Sequence, residues 1–327
     1  MKQVDVVVIG ASLAGSACLR ELSRAGFDAV AIERDTFPRE KVCGGFLSPG
    51  AVDILDQLRL LDSLRHEGAV EIHGAKLRTA GAVTEIAFRR PGLGISRRTL
   101  DAIVANHPAV RQGTVSSVSL RSDRQFVIRL QCGTEIRTRV VVDAAGKLTR
   151  FRSVISAPQF GIQFYEPESR GDIMDFWIFE HGYGGAVSVE GNRANACFLV
   201  EKEALHQYRN KAEKVTGPVA YRPGVSDFIS VGDAAGMIDP FCGEGMHHAL
   251  HTGQIAAAAI VRGFESGWSY PQVRRHYDKE RHRHWGRKKA MARAARRALR
   301  YPGIVNAALR WNASWLVDMF WGFAATE

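Results

Sequence analysis

The chain has only five cysteines in 327 residues, at positions 18, 43, 132, 197 and 242. They show no paired spacing, no CxxC and no metal-ligand pattern, which excludes a disulfide scaffold or a zinc module and points to a reducing compartment. No uninterrupted apolar run reaches the roughly 18–20 residues that a membrane-spanning helix needs. No secretory leader pattern is present, and the first strand pattern begins almost at Met1. The expectation is a cytoplasmic protein, open to peripheral attachment at a membrane. No nucleic-acid recognition motif accompanies the positive charge, so nucleic acid is not expected as a partner. Acids are nearly missing from one segment. Residues 274–300 hold twelve Lys and Arg against Asp278 and Glu280, an imbalance equal to the whole net charge of +10. The rest of the chain is neutral, and its basicity is local.

With 46% hydrophobic and 24% charged residues, the chain can bury a full globular core. Its information is concentrated in three glycine-centred segments. In the first, residues 4–9 (Val-Asp-Val-Val-Val-Ile) read as a buried parallel strand. From Leu13 to Arg24 the pattern turns helical, with Ala14, Ala17, Cys18 and Leu22 on one side and Gly26 as the stop. Residues 29–32 form a second strand that ends at Glu33. In this βαβ unit Gly10 permits the tight turn and Gly15 lets the helix lie close to the strand. The helix N-terminus, including Leu13 and Ala14, offers free N–H groups to a pyrophosphate. Glu33, followed by Arg34, stands where a carboxylate would accept hydrogen bonds from a ribose, and it would repel a 2′-phosphate. Ser12 replaces the usual middle glycine and brings a hydroxyl that could donate to a phosphate oxygen.

The second segment is a strand running into Asp143-Ala144-Ala-Gly146. The third is the strand Phe228-Ile-Ser-Val231, then Gly232-Asp233, then Asp239-Pro240-Phe-Cys-Gly243-Glu-Gly245-Met246 and an Ala-rich helix over about 246–263. An aspartate at such a strand end can bind a sugar-alcohol hydroxyl. Glycines ahead of the helix let a flat ring lie against the backbone, and the positive end of the helix would stabilise an anionic reduced flavin. The order and spacing of the three segments point to FAD.

These segments resemble the FAD-dependent geranylgeranyl reductase family, within the para-hydroxybenzoate-hydroxylase-type flavoprotein superfamily. The resemblance covers about residues 1–265. It is reinforced by Phe37-Pro-Arg-Glu-Lys-Val-Cys43-Gly44-Gly45 with Leu47-Ser-Pro49, which is similar to the family's loop beneath the flavin, and by Arg97-Arg-Thr-Leu-Asp101, similar to its arginine-bearing motif. The resemblance implies that Gly10, Ser12, Gly15, Glu33, Arg97 and Asp233 contact the cofactor and that Cys43, Gly44 and Gly45 lie near the isoalloxazine. Residues 175–179 (Asp-Phe-Trp-Ile-Phe) partly echo the family's Tyr-x-Trp-x-Phe-Pro motif, with Glu180 in place of the proline.

The fold class expected is α/β: a Rossmann-like FAD-binding βαβ domain, an inserted antiparallel β-sheet substrate domain and C-terminal helices. Residues 1–70, 98–157 and 222–262 are assigned to the cofactor domain, 71–97 and 158–221 to the substrate domain, and 263–327 to the C-terminal helices. A hairpin is predicted over 73–88 and a three-stranded meander over 114–140. Four more strands are predicted at 159–164, 172–179, 184–190 and 194–200. Phe160, Phe164, Phe176, Trp177, Phe179 and Phe198 supply bulky apolar surface, only part of which can face a substrate. The stretch 202–227 reads as one short helix, which implies a reduced lobe and an open active site.

Arg281 to Arg300 form an Ala-rich basic helix pattern, followed after Pro302-Gly303 by an amphipathic stretch with Trp311, Trp315 and Trp321. Residues 274–323 suit an anionic membrane surface or an acidic carrier protein. The competing reading is a solvated basic helix beside a packed apolar one. His247 and His248 follow the last glycine turn. Either could serve a flavin, but the pattern favours ordinary helix-surface histidines, and no metal is expected.

The function expected is hydride reduction of a carbon–carbon double bond in a hydrophobic, isoprenoid or polyketide-like substrate. NAD(P)H would be a transient electron donor and Cys43 the candidate proton source. The alternatives are an FAD-dependent monooxygenase acting on an aromatic or polyketide substrate, and a non-catalytic binding protein on the same fold.

Overall fold

A computed structural model describes residues 2–149, 151, 154–157, 159–208, 210–217, 219–223, 226–298 and 301. The aromatic-rich stretch expected at 305–323 lies outside the described residues.

The core of the first domain is a seven-stranded sheet. Its order is Val110–Gln112, Ala29–Glu33, Lys2–Ile9, Glu135–Asp143, Phe126–Leu130 and Val115–Leu120, with Ile229–Ser230 beside the C-terminal end of Glu135–Asp143. Lys2–Ile9 pairs in parallel on both sides, and its buried half, Val6 to Ile9, is uninterrupted Val and Ile because both faces are covered there. The 115–143 meander is antiparallel and closes one edge. Helix Leu13–Arg24 stops at Gly26, whose φ of +82° is one glycine adopts without strain.

An eight-stranded sheet forms the second layer. Its order is Lys214–Thr216, Gln159–Glu166, Arg193–Glu201, Gly182–Val189, Ile173–Phe179, Val70–Arg78, Val83–Gly94 and Phe46–Leu47. All its pairs are antiparallel except Ile173–Phe179 with Val70–Arg78, where the chain re-enters the sheet after the first-domain strands. Phe46–Leu47, from the stretch that carries Cys43, Gly44 and Gly45, is the edge strand of this sheet. The 202–227 segment holds more than one short helix. The 3-10 turn Lys202–Tyr208 is followed by strand Lys214–Thr216 and by Val219–Pro223, which pairs with Val154–Ala157. Both strands are too short to show a period of two.

Three short helices, Pro49–Gln57, Leu61–His66 and Arg97–Ala105, lie between the strands, and two long ones follow. Gly245–Glu265 crosses Leu13–Arg24 so closely that a Cβ on Gly253 would collide with the Ala14 carbonyl oxygen. Tyr270–Ala298 then lies along the outside, burying Val273, Tyr277, Trp285 and Ala292 at helical spacing. No helix among the described residues is long and apolar enough to cross a membrane.

Candidate active site

The ends of the central parallel strands and the inner face of the second sheet enclose a cavity of about 340 Å³. Ser12, Leu13, Ala14, Cys43, Gly44, Gly45, Arg97, Ala144, Gly146, Gly232, Asp233, Pro240, Gly243, Gly245 and Met246 all line it. Residues separated by more than two hundred positions thus meet at one place. The opposite wall is apolar: Ala75, Leu77, Ile86, Met174, Phe176, Phe198 and Leu199. Of the six aromatics singled out in the sequence, Phe176 and Phe198 face this cavity.

The remaining expected site residues stand behind the lining. Gly10 (φ +101°) and Gly15 are there for close approach. A Cβ on Gly10 would lie 2.6 Å from the Ala144 carbonyl oxygen, and one on Gly15 would collide with the Gly10 carbonyl oxygen. Glu33 spends its carboxylate on the backbone, accepting from the Ala11 N–H at 2.7 Å and the Asp35 N–H at 3.0 Å. It thereby fixes the turn that starts the first helix. Arg34 is exposed and pairs with Asp35 at 3.5 Å. Asp143 is fully buried and accepts from the Ala145 N–H at 3.0 Å and the Thr149 hydroxyl at 2.9 Å.

Arg97 belongs to a buried charge cluster. Its guanidinium grips Asp101 one turn on, with contacts of 2.8–3.0 Å, and donates to the Ser12 hydroxyl oxygen at 2.8 Å. Arg39 reaches the same carboxylate at 3.3 Å. The Ser12 hydroxyl, expected to face a phosphate, therefore sits 3.3 Å from Asp101 within this cluster. Burial disfavours the Arg97 charge, but Asp101 and the Cys43 side chain outweigh it and lift the group above the ordinary arginine range. The Arg97 helix is itself held from the second sheet. Ser96 and Thr99 both donate to Glu190, the latter at 2.7 Å.

Cys43 is held from the same side. Asn195 Nδ2 donates to its carbonyl oxygen at 2.8 Å, and Asn195 Oδ1 accepts from Gln163 Nε2 at 2.9 Å. This buried amide pair escaped the sequence reading because it joins two strands and a loop. Two lysines were missed as well. Lys41 and Lys147 both line the cavity. Burial, then neighbouring Arg97, pulls the Lys41 ammonium below the usual lysine range, and burial does the same to Lys147.

His247 and His248 are not surface histidines. His248 is fully buried and His247 nearly so, because Trp285 of the last helix packs its ring against both, with centroids 4.8 and 5.1 Å away. Burial drives the His248 pKa well below its usual value. Among the described residues, no group of His, Cys, Asp and Glu could hold a metal ion.

The fit to FAD can be tested on the lining itself. Gly44, Gly146 and Gly245 all face the cavity, and a Cβ on any of them would project into open space. Neither Ser12 nor Glu244 caps its helix with a side-chain bond, so the first-turn N–H groups of Leu13–Arg24 and Gly245–Glu265 keep capacity for a negative group. The Gly232-Asp233 turn is locked to the second of these helices by the Gly232 N–H donating to Thr252 Oγ1 at 2.8 Å. A wide glycine-floored slot with two helix N-termini and an acidic strand end matches a flat ring joined to a polyol and a pyrophosphate.

Comparison with known proteins agrees. Residues 3–159 match the family described as FAD binding domain. The chain is 26% identical to menaquinone reductase of Mycolicibacterium smegmatis, over 81% of this chain and 79% of that one. It is 27% identical to digeranylgeranylglycerophospholipid reductase 2 of Methanothermobacter thermautotrophicus, over 80% and 79%. Among solved structures, flavin-dependent brominase Bmp2 superposes with a TM-score of 0.81 at 18% identity, covering 99% of this chain and 95% of that one. The last likeness shows the fold alone.

Proposed function

We propose that this chain is an FAD-dependent member of the geranylgeranyl reductase family that reduces a carbon–carbon double bond in a hydrophobic, isoprenoid-bearing substrate, a reading supported by its FAD binding domain over residues 3–159 and its 26% and 27% identity to two reductases. The observation that carries this reading is the two-sided cavity: a glycine-floored slot at one side and the apolar wall of Ala75, Leu77, Ile86, Met174, Phe176 and Phe198 at the other. That wall excludes water and binds by area rather than by polar recognition.

Bound FAD would supply the hydride for the reduction. The chain's own residues do the rest. Gly44, Gly146 and Gly245 leave room for the ring; Arg97, fixed by Asp101, holds Ser12 at the start of the first helix; Asp233 offers a carboxylate at the strand end. Cys43 stands on the lining beside Arg97, where its thiol can pass a proton to the substrate carbon left electron-rich by hydride arrival. Because a fold shared with a brominase does not choose the reaction, support for the reductase comes from the reductase relatives and the apolar wall. The sequence has no second dinucleotide fingerprint, so NAD(P)H would bind transiently.

The test is to supply NADPH with menaquinone or geranylgeranyl diphosphate as probes, with and without oxygen, and read products by mass spectrometry. Gain of two hydrogens without oxygen supports the reading. Gain of an oxygen atom, only in air, replaces it with a monooxygenase. Bound flavin with neither product across hydrophobic probes removes it.

A further inference from the structure

The basic helix Tyr270–Ala298 carries eleven of the twelve Lys and Arg of the basic segment, yet several of its cations point inward. Lys289 donates to the Gly236 carbonyl oxygen at 2.7 Å. Lys288 reaches Glu244 at 3.4 Å. Arg296 donates to Gln159 Oε1 of the second sheet at 2.7 Å and lies 3.6 Å from Asp239. Gly236, Asp239 and Glu244 all belong to the loop that carries Pro240, Gly243 and Gly245 into the cavity. The three cations therefore grip that loop at its beginning, middle and end, from the side away from the cavity.

The loop is otherwise held by packing, with Ile238 and Cys242 buried in the core and the Phe241 ring against Phe176 and Tyr183. It contains one short turn, Pro240–Cys242, capped by Asp239, and it has left-handed glycines at Gly236 (φ +97°) and Gly243 (φ +66°). Its charges are matched to the helix. Burial opposes ionisation of Glu244, but His247, at 2.6 Å, and then Lys288 outweigh it and hold the carboxyl below its usual range. Asp239 also accepts from the Tyr183 hydroxyl, which ties the loop to the cavity wall of the second sheet. The helix itself is anchored independently, by buried Trp285 and by the Tyr277 hydroxyl donating to the Ser230 carbonyl oxygen. It is thus a fixed beam from which the loop is hung.

We propose that Lys288, Lys289 and Arg296 are positioning residues of the flavin site, acting through the 236–244 loop, so that the basic helix is a working part of the active site. They do not touch the ring. They set where the Gly243 and Gly245 backbone lies, and they place positive charge behind the helix N-terminus that would face the ring's carbonyl end. This proposal rests on the flavin reading above.

The experiment uses the full-length holoprotein. Lys289→Met and Arg296→Met, singly and together, are compared with Arg283→Gln, whose side chain is 64% exposed. Three readouts are taken: FAD dissociation, the flavin midpoint potential, and thermal unfolding of the backbone signal. Losing one charge-assisted contact should weaken FAD binding about tenfold for each inward variant. The midpoint potential should fall, because less positive charge remains to stabilise the reduced ring. Lys289→Arg, which keeps charge and donor, should recover most of both effects. Arg283→Gln should match wild type. The proposal is overturned if the double variant keeps wild-type affinity and potential, or if FAD loss only follows backbone unfolding at the same temperature. Wild-type protein that holds no flavin overturns the flavin reading along with it.

Discussion

Replacing Asp101 by Asn tests the buried charge cluster that positions Arg97. The carboxylate is fully buried and Arg97 is 6% exposed at its side chain. A guanidinium cannot shed its proton within the accessible pH range. Asparagine keeps the shape and one acceptor but removes the charge, leaving Arg97 buried and uncompensated while Arg39 loses its 3.3 Å partner. Breaking one side of a buried ion pair costs about 3–5 kcal/mol. The Arg39 contact should add little, since that side chain is 18% exposed and still pairs with Asp35. Urea unfolding, with the slope fitted as well as the midpoint, should show a loss in that range. FAD should also bind more weakly, because the Arg97 hold on Ser12 loosens. Adding Arg97→Met should recover much of the stability, since the orphaned charge is gone, but not the affinity. A single variant within about 1 kcal/mol of wild type, well under the buried-pair cost, would refute the reasoning. So would a double variant that loses the sum of both singles.

Gly15→Ala should lower stability by about 1–3 kcal/mol and weaken FAD binding, because its Cβ meets the Gly10 backbone carbonyl, which has no room to yield; calorimetry and flavin titration read both. Cys43→Ser should slow product formation while the flavin spectrum and FAD affinity stay unchanged, and an unslowed rate removes Cys43 as proton source. Acid should destabilise the fold from a definite point. Burial lowers the pKa of His248, and lowers that of His251 to about 3, from an ordinary value of 6.5. Below about 6.5 the unfolded chain binds protons that these buried rings refuse, so their contribution is complete above that pH and drains away as pH falls toward the folded values. Urea midpoints at about pH 7.5 and 5.5, either side of that ordinary histidine value, should therefore converge in His248→Leu relative to wild type.

Much of this was legible in the sequence where chemistry is local. Gly10, Gly15 and Glu33 lie within one βαβ unit, and spacing alone marks them as the turn, the close approach and the strand end. The expectation that Glu33 faces a ribose is a different matter. Its carboxylate also accepts from the Ala11 and Asp35 N–H groups, and no local pattern reveals that. What the sequence hid is non-local. His247 and His248 look like surface residues until Trp285, almost forty positions later, covers them. A charge run reads as a solvated face because composition carries no direction. Yet a signal was there. Tyr277, Trp285 and Ala292 recur at helical spacing inside the basic segment, and Lys288 and Arg296 fall beside that stripe. Lys41 and Lys147 escaped for a similar reason, since loop lysines look exposed until two sheets close over them.

The most direct test of the central claim is the stoichiometry of a single anaerobic turnover. Protein purified with bound flavin is reduced with one equivalent of NADPH, freed of oxygen, and mixed with the two probes used above. The expected result is flavin reoxidation matched one to one by saturated product, with the same yield whether or not oxygen is later admitted. Reduced flavin that stays reduced until oxygen enters, and then yields an oxygenated product, would contradict it.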